Sequence, residues 1–158
     1  MRPRYRPPAF FVLFALIGIT APAQAQTTTN WTNTGAGDWT VPGNWDNGVP
    51  TSAAIANIEN GGTVQISAPG QTVGYWNIGD AGTGAALIQN GGTLTQASAT
   101  ATRLGNGSLT ITGGGSSLSI ANDLEIGRGI GASTIIVSNG GQLSTGRSYI
   151  GEGSAPPR

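Results

Sequence analysis

The sequence predicts an all-β chain wound as a parallel β-helix, a β-solenoid of about four coils, behind a Trp-rich N-terminal cap. Three observations point there. Short runs alternate apolar and polar residues, as in Leu109-Thr110-Ile111, Leu118-Ser119-Ile120 and Leu124-Glu125-Ile126, which is the period-two signature of a strand with one buried face. Gly-rich turns bound these runs. Two separate motifs recur along the chain with a shared period, and self-similarity at a spacing of about 24 residues marks a stacked repeat.

Residues 1–25 read as an export signal. Arg2, Arg4 and Arg6 precede an apolar run from Ala9 to Ile19, and Ala23-Gln24-Ala25 supplies a small-x-small cleavage site before Gln26. The run is shorter than the roughly 20 residues that span a bilayer, and no later stretch approaches that length. Beyond it the charges are Arg103, Arg128, Arg147 and Arg158 against seven carboxylates, a balance of −3. The chain is therefore expected to be exported through the inner membrane. The 158 residues contain no Cys, His or Lys, and glycine contributes 27. Such a chain has no disulfide framework, no thiolate nucleophile, no imidazole metal site and no Ser-His-Asp machinery. Scattered arginines make no basic patch for nucleic acid. No cofactor and no metal are expected.

Residues 26–56 form the Trp-rich segment, in which Trp31, Trp39 and Trp45 follow one another closely. The first coil of a solenoid exposes an open strand edge and an open core, and large aromatics laid over that end would cover both. The competing reading is a stacking platform for surface glycans built from the same three rings.

Residues 57–153 carry the repeats. An apolar residue followed by Gly appears at Ile78-Gly79, Leu104-Gly105, Ile126-Gly127 and Ile150-Gly151, in steps of 26, 22 and 24. An Asn-Gly-Gly turn flanked by apolar residues appears at Asn60-Gly61-Gly62, Asn90-Gly91-Gly92 and Asn139-Gly140-Gly141, with a degenerate copy at Gly113-Gly114-Gly115. A unit this small cannot bury a face alone, whereas stacked copies pair each strand with its equivalent about 4.8 Å away. Hairpins of a sandwich, the other meaning of Asn-Gly, demand no shared period. The turns need φ > 0, which Gly61, Gly91 and Gly140 supply and Asn tolerates. Asn60, Asn90 and Asn139 are expected to stack as an amide ladder down one corner, with a gap at Gly113. A second column is expected one residue after each apolar-Gly pair, at Asp80, Asn106, Arg128 and Glu152, with Arg128 beside Glu152.

Candidate chemistry is sparse. Asp123 and Glu125 sit two apart in a strand, so both should project outward while Leu124 and Ile126 face the core. Paired carboxylates can hydrolyse glycosidic bonds at the right separation; the plainer reading is a solvated face beside Arg103 and Arg128. Gly79 to Gly84 lacks the aligned aspartates of a calcium-binding repeat. Gly82-Thr83-Gly84 and Gly105-Asn106-Gly107 are turns with no following helix to hold a phosphate.

The order of a signal-like start, W-x7-W-x5-W, Val49-Pro50, the segment Ala54 to Gly62, and then the two alternating motifs resembles the N-terminal part of bacterial autotransporter passenger domains. The resemblance covers residues 1 to about 153 and implies a right-handed β-helix displayed or released at the surface, anchored in full-length relatives by a C-terminal membrane β-barrel. The run Gly153 to Arg158 shows no barrel strand and no distinct terminal cap, so residues 154–158 are expected to be a disordered end or a truncation point. The function expected is a non-enzymatic structural or adhesion scaffold whose partners are surface glycans or host and cell-surface proteins. The alternatives are a glycan-binding module using Trp31, Trp39 and Trp45, and a polysaccharide-active β-helix enzyme.

Overall fold

The computed structural model describes residues 26–128 and 131–151. These form a β-solenoid of about five turns in which the coils stack in parallel. Each coil crosses three faces. The first face stacks β1 (Thr28–Asn30), the start of β3 (Ile55–Ile66), the start of β5 (Tyr75–Ile88), β7 (Thr102–Leu104), the end of β9 (Ser117–Ile126) and the end of β11 (Gln142–Ile150). The second stacks β2 (Ala36–Asp38), the ends of β3 and β5, β8 (Gly107–Thr112) and β10 (Ser133–Ser138). The third stacks β4 (Gln71–Val73), β6 (Thr93–Gln96) and the starts of β9 and β11.

Alternation places the aliphatic residues inside. The apolar-Gly positions fall into one column on the first face, where Ile58, Ile78, Leu104, Ile126 and Ile150 pair in unbroken register. The expected triplets behave the same way, with Leu109, Ile111, Leu118, Ile120 and Leu124 all buried. The first corner leads from the first face to the second, and the second corner from the second face to the third. At Gly79, on the first corner, the chain turns with φ 65°, and a Cβ there would lie 2.3 Å from the Asn106 carbonyl oxygen of the next coil. No side chain fits such a corner without moving the backbone apart.

The stack counts about five turns where the repeat alone indicates about four. The Trp-rich segment accounts for the difference, because β1 and β2 pair in parallel with β3 and so contribute strands as a first coil. Its tryptophans still close the end. Trp31 meets Trp45 edge-on at 5.0 Å, Trp45 meets Trp39 at 5.0 Å, and Trp39 meets Trp76 at 6.2 Å. Such T-shaped contacts suit the aromatic quadrupole. Trp76 joins from the third coil, where it is in register with the buried Ala56 of the second.

The other end is different. Val137 in the fifth coil and Ile150, one step further along the stack, are 45% and 75% exposed. Their counterparts in earlier coils include Ile111 and Ile78, which are buried. The signal segment 1–25, the expected Arg128–Glu152 contact and residues 154–158 lie outside the described residues.

Removing one ring should unseat the cap. Trp39→Ala is expected to lower the unfolding free energy by about 3–5 kcal/mol, whereas Val41→Ala, on the exposed surface, should change it by less than about 0.5 kcal/mol; urea denaturation followed by far-UV circular dichroism measures both.

Candidate functional site

The chemistry-bearing side chains gather at the corner between the first and second faces. There β3 supplies Glu59 and Asn60, β5 supplies Gly79 to Thr83, the turn before β8 supplies Asn106, and the turn after β9 supplies Arg128. Together they line an open recess of about 520 Å³. Successive coils bring these residues side by side: the Asn106 N–H donates to the Gly79 carbonyl at 2.7 Å. The expected column of Asp80, Asn106 and Arg128 therefore meets in one wall.

Behind the recess runs a chain of charges. Arg103 lies 3.7 Å from Asp80 and 3.5 Å from Glu125, and Arg128 donates to Glu125 at 2.7 Å. Glu125 is thereby held between two guanidinium groups. Asp123 accepts from Arg147 Nε at 3.0 Å. Glu125 and Asp123 are both buried, at 6% and 4% exposure, so the face expected to be solvated is instead covered by arginines of its own and adjacent coils. Leu124 is buried with them. Neither carboxylate is free to serve as one half of a hydrolytic pair.

Glu59 differs from these two. Burial pushes its carboxyl above the usual range, with the nearby Asp80 charge adding to the shift and the Ala81 N–H opposing it. Its Oε1 accepts that N–H at 3.3 Å.

The register separates the three turn asparagines. Asn60 lies at the first corner opposite Thr83, while Asn90 and Asn139 lie at the second corner, where the chain passes from the second face to the third. A single Asn60–Asn90–Asn139 ladder is therefore not formed. Even Asn90 and Asn139 have the Gly113 coil between them; Asn139 donates instead to Thr112 Oγ1 at 3.1 Å. The turn role is kept at the second corner, where Asn90 and Asn139 have φ of 54° and 51° and are followed by Gly91 and Gly140 at 79° and 85°. Asn60 has no positive φ. It accepts the Gly62 N–H at 3.0 Å through its side chain, and Gly61 takes the positive φ of 86°.

A different amide ladder is present on the first face. Asn57 donates to Asn30 at 2.9 Å, and Asn77 donates to Asn57 at 2.9 Å. Its donor end meets a carboxylate, since the Asn30 side chain and N–H each donate to Asp46 at 2.7 Å. At its other end the buried Asn77 Oδ1 has no hydrogen-bond partner among the described residues, and the register partner of Asn77 in the next coil is Arg103. These two bonds from Asn30, backbone first, hold the Asp46 carboxyl below its ordinary range. The signal for this column was the residue before each apolar-Gly pair (Asn77, Arg103, Glu125), not the residue after it.

Trp31, Trp39 and Trp45 are 2%, 0% and 4% exposed. Their ring faces are spent on one another and on the core, so they offer no stacking platform for a sugar. Among the described residues no helix is long and apolar enough to cross a membrane. Comparison with protein-family models, with curated proteins and with solved structures finds no significant match for this chain.

Two sets of variants test these electrostatics. Glu125→Ala leaves Arg103 and Arg128 facing each other and is expected to cost about 2 kcal/mol of stability, the lower end for a charged hydrogen bond because both arginines are partly exposed; chemical denaturation reads it. Asp46 and Glu59 should show opposite pH signatures. A depressed carboxyl stabilises above its unfolded pKa and loses that as pH falls through the folded one; a raised carboxyl destabilises once it ionises and is relieved in acid. Thermal melts should therefore show Asp46→Asn lowering Tm and Glu59→Gln raising it at neutral pH, the Glu59 effect fading as pH falls toward about 4.3 and the Asp46 effect only below about pH 4.

Proposed function

We propose that the chain is an exported, non-enzymatic β-solenoid serving as a structural and adhesion scaffold at the cell surface or in the medium, in the manner of an autotransporter passenger. The observation that carries this reading is the state of Asp123 and Glu125, the pair best spaced in sequence for hydrolysis. Each is buried and bound to arginine, an arrangement that ties adjacent coils together rather than one that presents reactive groups. The remaining outward positions are mostly Thr, Ser, Asn and Gln on stacked strands, a neutral polar surface suited to display. Export is supported by the basic, apolar and small-x-small order of residues 1–25. The partners this reading implies are surface glycans and host or cell-surface proteins.

The test is expression of the full chain, fused after Arg158 to alkaline phosphatase, in a Gram-negative host. The expected result is phosphatase activity outside the cytoplasm, with mass spectrometry showing a new N-terminus at Gln26. Beads coated with the purified product should then adhere to bacterial or epithelial cells. Retention of the uncleaved product in the cytoplasm would refute export. Hydrolysis of a polysaccharide that disappears in Glu59→Gln or Asp80→Asn would refute the non-enzymatic reading.

A further inference from the structure

The recess at the first corner combines groups of complementary hydrogen-bonding character. Glu59 and Asp80 are acceptors only when ionised, Arg128 is a donor only, and the Thr83 hydroxyl and Asn106 amide are both. Two of these are fixed from behind. Asp80 is 3.7 Å from Arg103, and Arg128 is 2.7 Å from Glu125, so neither must be ordered anew when a ligand arrives. Glu59 has no cation within ion-pair distance among the described residues, which leaves acceptor capacity on its carboxylate. The volume of about 520 Å³ falls within the roughly 300–1,000 Å³ of small-ligand sites.

An anion entering this recess meets two carboxylates, and a cation meets a guanidinium. A ligand that suits all sides has to donate to Glu59 and Asp80 while accepting from Arg128 and Asn106. Adjacent hydroxyl groups do both without carrying charge. We propose that the recess lined by Glu59, Asp80, Thr83, Asn106 and Arg128 is a binding subsite for a neutral saccharide. The carboxylates accept from its hydroxyls, and the guanidinium and amide donate to them. The site lies on the flank of the solenoid, along the corner from the second coil to the fifth. It deepens the adhesion reading and rests on it for access to glycans, but its binding is measured on purified protein, so the two can fail separately.

The experiment is saturation-transfer NMR and calorimetry on the full chain as purified, with maltotriose, cellotriose, mannotriose and galactotriose as probes. At least one trisaccharide is expected to bind with Kd near or below about 1 mM, and Asn106→Ala and Glu59→Gln should each weaken it by about tenfold. Thr72→Ala, on the exposed third face, should bind as the native chain does. Circular dichroism of each variant establishes that the fold is retained; neither Asn106 nor Glu59 belongs to the Asp80–Arg103–Glu125–Arg128 network. The proposal is overturned if none of the four binds at about 10 mM, or if binding survives unchanged in both Asn106→Ala and Glu59→Gln. A site elsewhere on the chain would produce the latter result.

Discussion

Parallel, in-register pairing between successive coils is the constraint from which the rest of this molecule follows. Each strand takes its hydrogen bonds from the equivalent strand one turn away, so equivalent residues must share a direction as well as a position. The column Ile58, Ile78, Leu104, Ile126 and Ile150 is the clearest consequence. A one-residue slip in any coil would turn its aliphatic residues outward and its polar ones inward. Low charge and a modest aliphatic content are sufficient because three thin faces share one narrow interior, in which each inward position needs a single apolar side chain.

The same pairing makes the two ends unlike the middle, since an end coil has a neighbour on one side only. At the start the solution is aromatic bulk: Trp31, Trp39 and Trp45 of the first coil cover the core in edge-to-face contact, and Trp76 meets Trp39 from the third coil. Trp45 Nε1 donates to the Trp39 carbonyl at 2.9 Å, while the indole nitrogens of Trp31, Trp39 and Trp76 have no partner among the described residues. The rings themselves are therefore held by buried area and edge-to-face geometry more than by indole hydrogen bonds. At the other end no such cover is present among the described residues, and Val137 and Ile150 remain open to solvent.

Stacking also governs the electrostatics. Positions one coil apart in the chain become neighbours at about 4.8 Å, so Asn30, Asn57 and Asn77 align into one amide ladder and Arg103 is brought to Glu125, which Arg128 reaches from three residues along its own coil. The coil lengths decide which residues meet. The interval from Asn60 to Asn90 is longer than any step between the apolar-Gly pairs, whereas the interval from Asn90 to Asn139 is close to two coils. The first interval does not fit the period, and that mismatch was the visible sign that Asn60 turns a different corner. An identical tripeptide at two corners reflects identical turn chemistry, not an identical place in the coil.

The sequence by itself determined that the chain is all-β, that it is a stack of parallel coils, and which aliphatic residues face inward. Those properties follow from period-two alternation and a shared repeat, which are local and additive along the chain. Tertiary structure alone decided the rest. It buried the three N-terminal rings that composition left available for sugars and drew Trp76 in to join them. It covered Asp123 and Glu125 with arginines of their own and neighbouring coils. It also gathered Glu59, Asp80, Asn106 and Arg128 into one recess. The physical reason is common to all of these. Side-chain environments depend on the residue one coil above and one coil below, and unequal corner lengths keep a simple repeat count from naming that residue.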